Sequence, residues 1–270
     1  MPTVPSSGAS RLRAWLKACG LPTLLPTTCL LCGQWQDTPL CQLCVERWQR
    51  PVPRCVRCAI ALRGHALDSV CPACEDQSPE FDRAIAALDY AAPWQGALSR
   101  LKFQEGTALA RPLADLMLKA LAQRRDRVDL IVPVPLSRPR LLERGYNQTW
   151  LLAQHLARNL NHPARHDVLH RAHHTERLMH LDAEARRAQI AGAFEVSEAA
   201  LPHIQRRHIA VVDDVLTTGA TLDEVARTLR KAGARSVSAW VLARTPAPDR
   251  SGAQAADSAG SAVVHSLSSR

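Results

Sequence analysis

The spacing of apolar positions changes several times along the chain, and each change marks an expected element. Leu12, Trp15, Leu16 and Cys19 recur at i, i+3, i+4 and i+7, which predicts a short amphipathic helix packed on a neighbour. "RAIAALDY", from residue 83, reads as a strand. The stretch from Pro93 to Arg127 reads as one broken helix or two consecutive ones, and "LIVPVPL", from Leu130, as a short, β-branched buried strand. "NQTWLLAQHLARNLN" is a further amphipathic helix, with Leu151, Leu152, His155 and Leu156 on or near one face. Ile209 to Val212 is apolar throughout and predicts a fully buried strand. Leu222, Val225, Ala226 and Leu229 form the inner stripe of a helix that Gly233 closes, and "SVSAWVLAR" supplies the next strand. Strands alternating with helices of ten to fifteen residues imply βαβ units, hence an α/β fold with a parallel sheet flanked by helices.

At 270 residues and 46% hydrophobic content, the chain is long enough for one ordinary core and a small second module. The formal charge of +9 permits a phosphate-rich or nucleic-acid partner. That count treats every cysteine as neutral, and two four-thiolate zinc sites would lower it to about +5. No apolar run reaches the roughly 18 residues a membrane helix needs, so no membrane span is expected. Lys17 and two prolines interrupt the N-terminal apolar stretch, so a secretory leader is not expected either, and the setting is cytoplasmic.

Eight of the nine cysteines fall into four C-x-x-C pairs, which changes the picture for the first third of the chain. In a reducing compartment, closely spaced pairs read as tetrahedral zinc ligands rather than disulfides, because one tight turn aims two sulfurs at one ion. Cys29, Cys32, Cys41 and Cys44 are assigned to one zinc and Cys55, Cys58, Cys71 and Cys74 to a second, with interleaved pairing as the alternative. A closed four-thiolate site leaves no position for a reacting water, so both zincs are expected to be structural. Cysteine is absent beyond Cys74, and the polar stretch "EDQSPEFDR" marks a boundary. The expected organisation is an N-terminal helix and linker (1–25), a double zinc-ribbon module (26–78), an α/β domain (80–245) and a disordered tail (246–270).

The chemistry concentrates in "IAVVDDVLTTGATL". In open α/β sheets ligands bind beyond the carboxyl ends of the strands, and Asp213 through Thr221 occupy that position. Thr217, Thr218, Gly219, Ala220 and Thr221 offer consecutive backbone N–H groups, three hydroxyls and the positive end of a helix dipole, a phosphate cradle. Two carboxylates just ahead of it would repel a bare polyphosphate, so Asp213 and Asp214 call for sugar hydroxyls, a divalent cation, or both. A ribose 5-phosphate satisfies the arrangement. No G-x-x-x-x-G-K-[ST] loop accompanies the acidic strand end, which excludes a P-loop ATPase. The histidines between 155 and 180 show no metal-ligand spacing.

The same stretch resembles the binding signature for phosphoribosyl pyrophosphate (PRPP) of type I phosphoribosyltransferases. The order of four C-x-x-C pairs, "LKF", "VPVPL", "RGYNQ", "R..HT" and "VVDDVLTTGATL" is similar to the ComF family, over residues 25 to 245. The resemblance implies a type I phosphoribosyltransferase-like sheet behind an N-terminal zinc finger, and a link to natural competence and the handling of single-stranded DNA. It implies that Asp213 and Asp214 hold the ribose hydroxyls, that the Thr217–Thr221 turn binds the 5-phosphate, and that "VPVPLSR" with Arg138, Arg140 and Arg144 faces the pyrophosphate, which Mg2+ would organise. The implied activity is transfer of the phosphoribosyl group to an acceptor for which no base or pocket stands out. The alternative is a silent phosphate-binding adaptor that recruits nucleic acid or competence machinery. Lys102 and Tyr146 to Gln148 match recurrent family positions, and Asn147 is an expected helix N-cap. Residues 169–194 correspond to a mobile lid, where the family's T-x-x-Q and R-x-x-N become Leu178 after Thr175 and Gln189 after Arg186.

Overall fold

The computed structural model describes residues 27–62, 64, 69–103, 106–124, 126–172 and 189–247. The expected helix around Leu12 to Cys19, the tail, and Thr175, Leu178 and Arg186 of the lid lie outside these residues. Among the described residues, no helix is long and apolar enough to cross a membrane.

The cysteine-rich region contains a small antiparallel ribbon of β1 (Thr27–Thr28) and β2 (Trp35–Gln36), then the short helices α1 (Gln42–Trp48) and α2 (Pro72–Asp76). Its apolar clusters are built largely from the cysteines themselves, joined by Leu31 in one and by Leu62, Ile60 and Val70 in the other.

Behind it, β3 (Arg83–Asp89), β4 (Leu130–Pro133), β7 (His208–Leu216) and β8 (Ser236–Arg244) form an all-parallel sheet in the order β3-β8-β7-β4. Period-two alternation directs Ala210 and Val212 of β7 to one face and Ile209 and Val211 to the other. The first face is covered by α3 (Trp94–Lys102), α4 (Gly106–Ala122) and α6 (Gln148–Leu160), through Leu98, Leu101, Leu113, Leu152 and Leu156. The second is covered by α8 (Ala220–Lys231) and α7 (Leu201–Ile204), through Val225, Leu229 and Ile204. Burial on both faces explains why β7 reads as a continuous apolar run rather than an alternating one.

The region from Pro93 to Arg127 resolves into two helices because the chain turns extended at Phe103, the C-cap of α3. Gly233, at φ +95°, follows the C-cap Ala232 of α8 in the left-handed region that glycine tolerates. Three elements carry no usable sequence signal. Helix α5 (Arg138–Arg144) buries none of its residues, and Leu142 is 76% exposed, so no apolar face announces it. The antiparallel pair β5 (Leu169–Arg171) and β6 (Phe194–Val196) is too short for periodicity to register.

The strand expected over Ile209–Val212 runs on to Leu216. Asp213 pairs with Val241 and Leu216 with Arg244 of β8, whereas β4 ends opposite Val212. The two carboxylates therefore sit inside the strand, on the part that projects beyond its shorter neighbour.

Candidate functional site

Asp213 and Asp214 are both buried, and each accepts a hydrogen bond from the next amide: Asp214 N–H to Asp213 Oδ1 at 2.8 Å, and Val215 N–H to Asp214 Oδ1 at 3.0 Å. The ammonium of Lys102, from the last turn of α3, lies 2.8 Å from Asp214 Oδ2. The ammonium occupies one lone pair of Asp214 Oδ2, and no second donor reaches that oxygen among the described residues. A buried acceptor with an open lone pair suits a ligand hydroxyl or a cation.

The two acids hold their protons differently. Burial raises Asp213 well above the ordinary carboxylate range, and the negative charge of Asp214 adds to the rise. Burial, the largest single influence, acts on Asp214 in the same sense, but the charge and hydrogen bond of Lys102 together with Asp213 and Arg144 outweigh it and hold this carboxyl below its ordinary value. For Lys102, burial lowers the ammonium and Asp214 more than restores it, so the net direction is upward. The pair is thus asymmetric, with Asp214 held toward its ionised form beside Lys102 and Asp213 shifted toward its protonated form.

A stability consequence follows. A depressed carboxyl contributes stability above its unfolded value, near about 4, and loses it as pH falls through the lower folded value. Lys102→Met leaves burial opposed only by the lesser contributions of Asp213 and Arg144. Its stability deficit relative to wild type is expected to be large at pH 7 and to shrink below about pH 4, as read by denaturant unfolding at both pH values.

Lys102 is aimed by a residue far along the chain. The Tyr146 hydroxyl lies 2.8 Å from the carbonyl of Leu101 and 3.1 Å from that of Phe103, which clamps the backbone on both sides of the lysine. Its neighbours in "RGYNQ" have equally local work. Gly145, at φ +80°, is the left-handed C-cap of α5. Asn147 Oδ1 accepts the Thr149 N–H at 3.0 Å as N-cap of α6, and Asn147 Nδ2 and Thr149 Oγ1 donate to the Val134 carbonyl at 3.0 and 2.7 Å. These bonds tie the start of α6 to the end of β4.

The turn from Thr217 to Thr221 leads from β7 into α8. Gly219 is the N-cap, at φ +93°, with no side-chain cap. Among the described residues, nothing accepts a hydrogen bond from the N–H groups of Thr217, Thr218, Gly219, Ala220, Thr221 or Leu222. The first engaged amide is that of Asp223, to the Gly219 carbonyl at 2.8 Å. Thr217 and Thr218 are exposed. Consecutive unspent amides at a helix start, behind a left-handed residue, form an anion-binding nest. Gly219→Ala adds a Cβ with room for it, 3.6 Å from Asp223 Oδ2, but strains φ. It is expected to cost about 1–2 kcal/mol of stability, measurable by thermal unfolding.

The three arginines past β4 fall on α5. Arg144 stacks 5.7 Å above the Phe103 ring, bonds Gln148 Oε1 at 2.5 Å, and lies close enough to Asp214 to help depress it. Arg140 acts electrostatically on Arg171 of β5, whose guanidinium burial lowers and the nearby Asp213 supports. Arg138 begins the helix and is exposed. The structure therefore brings Lys102, Arg144, Asp213 and Asp214 to one place, with Arg140 and Arg171 bordering it. Lys102 and Arg171 had no role readable from the sequence beyond their motif positions.

The cysteines gather as Cys29, Cys32, Cys41 and Cys44 and as Cys55, Cys58, Cys71 and Cys74, the ligand atoms of each set lying within 4.8 Å of one another. Cys32 and Cys41 sulfurs are 3.9 Å apart and Cys58 and Cys71 sulfurs 3.7 Å. A regular tetrahedron of sulfurs about 2.3 Å from a central zinc has edges of about 3.8 Å. A disulfide would need about 2.05 Å. Backbone amides point at the sulfurs: Cys41 N–H to Cys29 Sγ and Cys44 N–H to Cys41 Sγ at 3.4 Å, and Cys71 N–H to Cys55 Sγ at 3.3 Å. Burial pushes Cys29 up, yet amides led by that of Cys41 bring it down to about 6, while burial and the surrounding sulfurs push Cys44 far up. Only a central cation would draw the last proton from such a set. Both clusters fit a structural metal ion such as zinc.

The family model for the phosphoribosyl transferase domain matches residues 151–262. Competence protein F of Haemophilus influenzae is 36% identical over 212 residues, covering 76% of this chain and 90% of that protein. The DNA utilization protein YhgH of Escherichia coli K12 is 32% identical over 232 residues, with 82% and 98% covered. Competence protein ComFC of Bacillus subtilis is 29% identical over 199 residues, with 70% and 78% covered.

Proposed function

Because the chain belongs to the ComF family of competence and DNA-utilisation proteins, we propose that it is a cytoplasmic phosphoribosyltransferase-fold protein that binds PRPP with Mg2+ and serves the uptake or processing of single-stranded DNA. The single observation that carries the reading is the run of unspent amides from Thr217 to Leu222, directly after two buried carboxylates of which Asp214 offers an open acceptor. In this reading residues 26–78 are the zinc module and 80–245 the phosphoribosyltransferase-like domain.

The 5-phosphate rests on the amides and hydroxyls of Thr217, Thr218, Gly219, Ala220 and Thr221. The ribose hydroxyls meet Asp213 and Asp214, and a diol or cation arriving at Asp214 competes with Lys102 for the same oxygen. Arg138, Arg140 and Arg144 face the pyrophosphate, with Lys102 and Arg144 acting on Asp214 and Arg171 on Asp213. Mg2+, when bound with PRPP, supplies charge neutralisation at the pyrophosphate. Transfer would be substitution at ribose C1 with pyrophosphate leaving. Asp213 and Asp214 orient the sugar and do not attack it.

Single-stranded DNA would meet the first cysteine module. Trp35 and Trp48 are exposed there, at 71% and 43%, with Arg47 and Arg50 close in sequence, the combination of stacking faces and cations that holds unpaired bases.

Calorimetric titration of the zinc-loaded protein with PRPP and Mg2+ tests the reading. Saturable heat at one ligand per chain is expected, and a wild type that gives none removes the PRPP site. If PRPP binds but no acceptor screen releases pyrophosphate, the adaptor alternative replaces the transferase. Affinity for single-stranded DNA should fall steeply with salt, and a flat response would exclude contact through backbone phosphates.

A further inference from the structure

The second cysteine cluster is joined to the phosphate turn by one side chain. Arg244, the last residue of β8, lies opposite Leu216, the last residue of β7. Its Nε donates to the carbonyl of Cys58 at 2.9 Å. Its Nη1 lies within hydrogen-bond distance of the carbonyls of Leu216 at 3.0 Å, Thr217 at 2.6 Å and Thr245 at 2.9 Å. Cys58 belongs to the cluster of Cys55, Cys58, Cys71 and Cys74, and Thr217 is the first residue of the turn with unspent amides. The cleft between the two is lined by Cys58, Cys74, Ser78, Thr218, Gly219 and Arg244.

A second tie runs from the same cluster to the helix behind the turn. The segment after Cys74 lies along α8: the Glu80 N–H donates to Asp223 Oδ1 at 2.9 Å, Arg227 pairs with Glu80 at 3.1 Å, and Arg230 with Asp82 at 2.7 Å. The first cluster has no such connection to the turn among the described residues. Its ties are to the opposite face of the sheet, where Gln49 Nε2 donates to the Leu116 carbonyl and Trp94 Nε1 to the Trp48 carbonyl, each at 3.0 Å.

We infer that Arg244 is a positioning residue through which metal in the second cluster, and not in the first, holds the Thr217–Leu222 turn in its anion-binding shape. The inference rests on the phosphate-site reading above for its consequence in binding, but the coupling itself is a property of the unliganded protein. The carbonyl of Cys58 is fixed only while the Cys55–Cys58 knuckle is closed. The guanidinium then carries that fixed point to the Thr217 carbonyl, the Leu216 carbonyl being held also by the Thr245 N–H at 3.0 Å. With those carbonyls oriented, the following amides have one direction to face. A four-thiolate site with a dication also carries a net charge of about −2, which favours the guanidinium beside it. The turn lacks side-chain capping of its own, so little else in it restrains the two residues before Gly219.

The test uses the full-length, zinc-loaded protein and three variants, Arg244→Gln, Cys74→Ser and Cys44→Ser, with metal content measured on each. Backbone order parameters of Thr217, Thr218 and Gly219 are read without ligand, and PRPP–Mg2+ affinity is read separately. Arg244→Gln should keep both metal ions yet drop these order parameters from about 0.85 to below about 0.6. Loss of its hydrogen bonds should weaken PRPP binding about tenfold. Cys74→Ser should do the same, and Cys44→Ser should leave turn and affinity as in wild type. The coupling is overturned if the turn stays rigid in Arg244→Gln, or loosens equally in Cys44→Ser. A turn that loosens as expected in a protein that never binds PRPP upholds the coupling and removes the PRPP reading. A turn that loosens while PRPP affinity stays at the wild-type value upholds the coupling and contradicts the seating of the phosphate on that turn.

Discussion

Stripping the metal from the zinc-loaded protein is expected to unfold the region between Cys29 and Ser78 while most of the parallel sheet stays folded. The expectation rests on what fills that region. The cluster around Cys55, Cys71 and Cys74 has Leu62 as its one other fully buried apolar side chain, and the cluster around Cys29, Cys41 and Cys44 has only the half-buried Leu31 beside it. A buried leucine contributes about 1.5–3 kcal/mol, far short of the roughly 1–2 kcal/mol of backbone entropy lost for every residue ordered. Four-thiolate zinc supplies on the order of 10 kcal/mol or more. The sheet has its own two-sided core, to which the cysteine region adds the buried Leu40 on one face and Ala59 on the other, so its loss is confined to these and to contacts such as Gln49 with Leu116 and Trp48 with Trp94. Limited proteolysis before and after chelation reads the outcome, with new cleavage near Pro51 and Pro53 while the fragments from the sheet domain stay as in the metal-loaded digest. An unchanged digestion pattern in fully demetallated protein would contradict the structural role of the metal.

The second large effect belongs to Asp214. Asp214→Asn should weaken PRPP binding at least about 100-fold, because a charged acceptor for a sugar hydroxyl is worth about 1.5–3 kcal/mol and a cation contact is lost with it. It should also destabilise the unliganded protein by about 3 kcal/mol, since Lys102 is left without its counter-ion in a largely buried position. The two losses have different remedies. Adding Lys102→Met to Asp214→Asn removes the stranded charge and should restore much of the stability while leaving binding weak. A double variant that recovers both would mean that Asp214 serves only to partner the lysine.

What the sequence disclosed divides along physical lines. Zinc ligation and the turn after β7 are local arrangements, so Cys29 to Cys74 and Asp213 to Thr221 show themselves by spacing within a few residues. The buried strand was legible for the same reason, but its end was not. β7 continues to Leu216 because β8 runs alongside it, and that pairing is tertiary. Lys102 beside Asp214, Tyr146 over the carbonyls around Lys102, and Arg244 on Cys58 each join residues far apart in the chain, and no periodicity records such contacts. Helix α5 escaped because it has no apolar face to betray it.

A crystal structure of the wild-type, zinc-loaded protein with PRPP and Mg2+ tests the central claim most directly. The phosphate oxygens are expected within about 3 Å of consecutive amides between Thr217 and Leu222, with the ribose hydroxyls on Asp213 and Asp214 and Lys102 displaced from Asp214 Oδ2. A ligand seated elsewhere, with the turn bare and the Lys102–Asp214 pair intact, would contradict it.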